Sequence, residues 1–338
     1  MEAELKPGLK KTLRSSLVFS GNSLEMPHVD LALSTCWHAE RSTDGSALLA
    51  EATQMGFAKV ELSHNTRYTL WPGILAAHES GRAPKIEVLH NFCPVPVEVL
   101  RPHPNAYEFS DPRPTARRLA ERHTLETLEC AAAVGARFVV LHIGSAGPRR
   151  LIDPLERIAL AGQIGSSLFV QHKLHAIRQH EKAFQEAWPR VEEILLRIGE
   201  KASALGLRLG LECREDPREI PPDDFWEMIL NRLPAPTFGY WHDFGHGAAK
   251  HWLGYIDHAK HLRRLASRII GVHLHDYHPE KGDHLPLGQG LVPFDELLPL
   301  IPEGTHFSLE LSPDVSADDV RASLSWWNKN RSPVPALS

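Results

Sequence analysis

The stretch HLHDYHPEKGDHLPLGQG, residues 273–290, gathers His273, His275, His278 and His284 with Asp276 and Asp283, then closes on a glycine-rich turn. Imidazoles and carboxylates at this density are ligands for a divalent cation or acid–base groups near neutral pH, although a solvated polar loop has the same composition. Other runs along the chain end in the same way. KIEVLHNF (85–92) delivers His90 and FVVLHIGS (138–145) delivers His142. RLGLECRE (208–215) delivers Glu212 with Arg214, and TFGYWHDFGH (237–246) delivers Asp243 and His246. IIGVHLHDY (269–277) carries His273 and His275, and HFSLELSP (306–313) carries Glu310. In most of these runs apolar residues come first and the ionisable group comes last. Period-two alternation puts Glu212 and Arg214 on one strand face, His273 with His275 on another, and Trp241 on the face of Asp243.

Two further apolar runs, VDLALSTCW (29–37) and KVELS (59–63), bring the number of expected strands to eight. Helical stretches separate most of them. DGSALLAEATQMGF reads as a helix capped by Asp44 and stopped by Gly56, and two others end at Gly135 and Gly206. Strand and helix alternating eight times predicts a (β/α)8 TIM barrel, an α/β fold, and no GxGxxG follows the first strand to suggest a dinucleotide-binding sheet. Catalytic groups in such barrels sit at the C-terminal ends of the strands. Glu212, Asp243 and Glu310 from strands five, six and eight, with His273 from strand seven, are therefore expected to meet on one axis. Buried carboxylates cannot share a small volume without a cation. One divalent metal (Mn2+, Mg2+, Co2+ or Zn2+) suits that oxygen-rich set, which is not a thiolate-type structural zinc site. Trp241 is the best placed of Trp37, Trp71 and Trp241 to stack on a sugar face, with core packing the alternative.

The remaining features set bounds. The 338 residues carry a net charge of −5 without a basic run, which counts against nucleic acid as a partner. Cys36, Cys93, Cys130 and Cys213 form no CxxC pair and read as reduced thiols. No signal-like apolar segment opens the chain, and no run reaches the ~18 apolar residues of a membrane helix. A cytoplasmic protein without membrane partners is the expectation. Residues 1–28 read as an N-terminal arm, 29–330 as one barrel domain and 331–338 as a flexible tail. Residues 146–190 form a long insertion after strand four, either a lid over the active face or an extension of the fourth helix. Arg149 and Arg150 in it could reach a phosphate or lie at the surface.

The motifs GLECRE, HDFGH, HLHD with DHLPLGQG, and LEL, in that order, resemble the xylose-isomerase-like barrel superfamily over about residues 29–328. That group holds sugar and sugar-phosphate isomerases and epimerases and, as a distant branch, the zinc AP endonucleases. The resemblance implies that Glu212, Asp243, His273 and Glu310 bind one divalent metal, with Glu212 and Glu310 as the acid–base pair that moves a proton next to a carbonyl. It implies substrate contacts from His246 and Arg214, with His275, His284, His90 and His142 nearby, a small carbohydrate substrate, and compatibility with a homo-oligomer. Two alternatives stay open. A dehydratase or lyase on a keto-sugar or keto-inositol would need a positioned acid such as His275 or His284. In the AP endonuclease pattern His90, His142, His246 and His284 supply further zinc ligands, but an aspartate two residues before the last histidine is replaced here by Gly282, with Asp283 shifted by one. A non-catalytic sugar-binding barrel predicts missing metal carboxylates, and all four ligands are present.

Overall fold

A computed structural model describes residues 30–330. The expected arm (1–28) and tail (331–338) lie outside the described residues. The strands are β1 (Ala32–Ser34), β2 (Lys59–Leu62), β3 (Lys85–His90), β4 (Phe138–Leu141), β5 (Arg208–Glu212), β6 (Phe238–Asp243), β7 (Ile269–Leu274), β8 (Asp276–His278), β9 (Gly282–Leu285) and β10 (His306–Leu309). Eight of them close a parallel barrel in the order β1-β10-β7-β6-β5-β4-β3-β2, while β8 and β9 form a separate antiparallel hairpin. The chain is thus a (β/α)8 TIM barrel, and each of the eight apolar runs of the sequence supplies one barrel strand. Strands covered on both sides must be apolar along most of their length, which is why these runs were legible.

Helices fill the connections: α1 (Gly45–Gln54), α2 (Trp71–Glu79), α3 (Pro114–Ala133), α4 (Asp153–Leu160), α5 (Ser167–Ala204), α6 (Trp226–Arg232), α7 (Phe244–Trp252), α8 (His258–Leu265), α9 (Phe294–Leu297) and α10 (Ala317–Asn330). The Asp44 carboxylate caps α1 by accepting from the Ala47 N–H at 2.7 Å, and Gly56 takes φ 97° just after its end. The insertion resolves mainly as helix extension. One 38-residue helix, α5, runs through Pro189 and carries the second half of the insertion on toward β5. Its N-terminal half packs with α4 and Leu253 into a small core of Ile152, Leu155, Ala159, Phe169 and Ala176. No helix among the described residues is long and apolar enough to cross a membrane.

The barrel interior corrects one expectation. Trp241 is fully buried with Val88, Phe138, Val140 and Ile270, edge-on to His273 at 5.4 Å between ring centroids. It faces inward as Asp243 does, but it lies two residues earlier on β6, a layer deeper, and cannot offer a face to a sugar. A Cβ on Gly271 would stand 2.1 Å from its ring and one on Gly210 2.6 Å, so glycine at both positions makes room for the indole. Trp37 and Trp71 also belong to the core.

Candidate active site

The strand ends converge as the pattern requires. Asp243 ends β6 in register with His273 on β7, and Glu310 follows β10, its N–H donating to the Leu274 carbonyl at 3.0 Å. Ligand atoms of Glu212, Asp243, His273 and Glu310 all lie within 4.8 Å of one another, and all four residues are buried. The hub is His273 Nδ1, at 3.1 Å from Glu310 Oε2, 3.3 Å from Glu212 Oε1 and 3.7 Å from Asp243 Oδ2. Its other nitrogen, Nε2, lies 3.0 Å from the buried carboxylate of Glu61, whose second oxygen accepts from Ser34 Oγ at 3.0 Å. A metal-binding imidazole ordinarily gives its far N–H to a carboxylate in this way, which fixes the tautomer and aims the free nitrogen.

Asp243 is fixed from two directions. It caps α7 by accepting from the His246 N–H at 2.8 Å, and His275 Nε2 stands 2.9 and 3.0 Å from its two oxygens. His275 Nδ1 accepts from the backbone N–H of His284 at 2.9 Å, so Nε2 carries the proton and donates to Asp243. Both ring nitrogens of His275 are engaged in these contacts, and it orients Asp243. The Nε2 atoms of His90 and His142, residues expected near the substrate, lie 3.0 and 2.9 Å from Glu212 Oε2 and clamp that carboxylate. Arg214 reaches Glu212 Oε1 at 3.5 Å and the His246 ring at 3.3 Å. His246 Nε2 faces Glu215 at 3.3 Å and Asp283 at 3.5 Å.

The electrostatics ask for positive charge. Burial alone would favour neutral carboxyls, yet His142 and His273 hold Glu212 well below the usual carboxylate range, and His246 and His275 do the same for Asp243. Burial opposes the imidazolium of His273, but Glu310, Glu61 and Glu212 together push its pKa well above the ordinary histidine value. A divalent cation would supply the same compensation in place of these protons. The donors, three carboxylate oxygens and one imidazole nitrogen turned toward them, fit a divalent metal.

One residue of the site escaped the sequence reading. Glu61 obeys the same rule as the others, an ionisable group near the end of an apolar strand, and KVELS contained the signal. Asp283 was read as displaced by one residue. His284 takes a left-handed φ of 53°, and the β8–β9 ladder shifts register between Asp276 and His278, so strict alternation fails and Asp283 still approaches His246. The glycine turn is held from below: Asp276 accepts from the N–H groups of Tyr277, Gly288 and Val292.

Residues 49–330 match the profile of the xylose isomerase-like TIM barrel family. The chain belongs to that family. No curated protein matches it significantly. Solved structures similar to this family member include a D-tagatose 3-epimerase-like protein, at 17% identity and TM-score 0.59 over 89% of this chain and 96% of that one. Another is 3-keto-D-glucoside 4-epimerase of E. coli, at 14% identity and TM-score 0.61 over 89% and 99%. A third is D-allulose 3-epimerase from Methylomonas sp., at 13% identity and TM-score 0.60 over 90% and 98%. At such identities the likeness is one of fold.

Proposed function

We propose that the protein is a divalent-metal-dependent isomerase or epimerase that moves a proton at a carbon next to a carbonyl of a carbohydrate. The observation that carries this reading is the buried meeting of Glu212, Asp243 and Glu310 with His273 Nδ1 at the C-terminal end of the barrel. These four residues would hold the metal, which supplies polarisation of a substrate carbonyl and its neighbouring hydroxyl. Glu212 and Glu310 are the acid–base pair, one carboxylate taking the proton and the other returning it. His90 and His142 fix Glu212 Oε2, which leaves Oε1 turned toward His273 Nδ1. Arg214 and His246, beside Oε1, are positioned to receive substrate oxygens.

A second reading has specific support. His90, His142 and Glu212 form one further group with metal-ligand spacing, Glu215, His246 and Asp283 another, and His246, His275 and His284 a third. Occupation of more than one of these groups would suit a phosphodiesterase of the AP endonuclease type. Elemental analysis separates the two readings. About one divalent ion per chain, lost in Asp243→Ala, with no nicking of an abasic-site oligonucleotide, is expected. About three zinc ions with nicking would replace the isomerase reading.

A further inference from the structure

Beside the metal-type cluster lies a cavity of about 350 Å3, lined in part by Arg214, which reaches Glu212 Oε1 at 3.5 Å. Asn105 joins the two: its Oδ1 lies 2.8 Å from His142 Nδ1, and its Nδ2 donates to Glu219 Oε1 at 2.9 Å. The volume falls at the lower end of the roughly 300–1,000 Å3 typical of small-molecule sites. Among the described residues Ile152 is the one aliphatic side chain in its wall. Six carboxylates line it: Glu108, Asp153, Glu156, Glu215, Asp216 and Glu219. Three guanidinium groups face them, and each is already paired. Arg149 lies 3.3 Å from Asp153, Arg214 3.0 Å from Glu215 and Arg218 2.5 Å from Asp216. The wall is therefore net acidic, with no guanidinium in reserve for an anion.

The carboxyls respond to that crowding. Burial first, then Glu215 and Asp216 against the opposing pull of Arg214, lifts Glu219 to about 8. Burial also raises Glu108 and Glu156. A phosphate brought into this space would lose its water and meet more carboxylates than guanidinium groups, the latter already paired. Sugar hydroxyls lose little, since each O–H can donate to a carboxylate oxygen.

We propose that the substrate is an uncharged polyhydroxy compound whose end remote from the Glu212–Asp243–His273–Glu310 cluster is held in this cavity by hydroxyl-to-carboxylate hydrogen bonds, and that phosphorylated analogues are rejected. The proposal rests on the isomerase or epimerase reading for the identity of the reacting end. It goes further by choosing neutral sugars over sugar phosphates, and it assigns specificity to Asp216, Glu219 and Glu108.

The test uses the full chain loaded with Mn2+. Calorimetry measures binding of D-tagatose, D-fructose and D-allulose and of their 6-phosphates, and proton NMR in D2O follows exchange in the same samples. At least one neutral ketohexose is expected to bind about tenfold or more tightly than its phosphate, on the scale of one uncompensated charge near a partly buried anion. Asp216→Asn frees Arg218 and Glu215→Gln frees Arg214; each is expected to shrink that preference by about tenfold. Phosphates that bind as well as the neutral sugars, binding of no neutral ketohexose, or a preference unmoved in both variants would each overturn the proposal. Binding of the neutral sugars without any deuterium exchange would instead overturn the isomerase reading and leave the charge selectivity standing.

Discussion

Replacing Glu61 by glutamine tests whether the histidine at the centre of the site is aimed by the protein. The glutamate is fully buried, 3.0 Å from His273 Nε2 and 3.0 Å from Ser34 Oγ. Glutamine keeps the volume and one acceptor oxygen but removes the charge that makes His273 a better donor of its Nδ1 lone pair. Losing such an outer partner lowers metal affinity by about 10- to 100-fold, or about 1.4–2.7 kcal/mol. Since the amide oxygen of the introduced glutamine could still accept from His273 Nε2, we expect the lower figure for Glu61→Gln and the higher for Glu61→Ala. Competition against a chelating indicator would measure Mn2+ and Zn2+ affinity, with circular dichroism to verify the fold. Wild-type affinity in a folded Glu61→Ala protein would refute the reasoning, because His273 would then be held without its carboxylate.

Two predictions concern stability. Burial lowers His180 to about 4, His258 to about 3 and His261 to about 4, so all three are neutral in the folded protein at neutral pH. Their unfolded values are higher, so the unfolded chain binds more protons as pH falls below about 6.5, and stability is lost on the way down to about 4 at up to roughly 1.4 kcal/mol per pH unit for each histidine. Urea midpoints between pH 7 and 5 should fall, and the fall should be shallower in a folded His180→Gln variant; equal slopes would exclude His180 from the effect. Gly271→Ala should cost about 1–3 kcal/mol, because its Cβ would stand 2.1 Å from the Trp241 ring. A thermal melt unchanged from wild type would mean that the indole has room to move.

The fold was legible because barrel strands must be apolar and must be separated by helices, and both patterns survive in one sequence. The site was legible to the extent that its groups stand at strand ends. Glu212, Asp243, His273 and Glu310 come together for that reason. What lay in loops was harder to read. Asn105, Glu215 and Glu219 carry no periodic signal, and the cavity they line depends on how the segment after β5 meets residues 103–108 and 145–156. Parity alone overestimated Trp241, since it gives the face of a strand and not the depth along it. The roles of His90, His142 and His275 required the partners of both ring nitrogens, which are contacts between distant strands. The helix α5 passes through Pro189, carried by packing on either side from Phe184 to Val191.

The most direct test of the central claim is hydrogen exchange at the substrate carbon. Mn2+-loaded protein would be incubated in D2O with a panel of ketohexoses and ketopentoses, and deuterium next to the carbonyl read by proton NMR. We predict incorporation by the wild type, dependent on added metal, and a loss of about 100-fold or more in Glu310→Gln, the scale of a general base. No incorporation by metal-loaded protein on any member of the panel, or incorporation at the wild-type rate in Glu310→Gln, would contradict it.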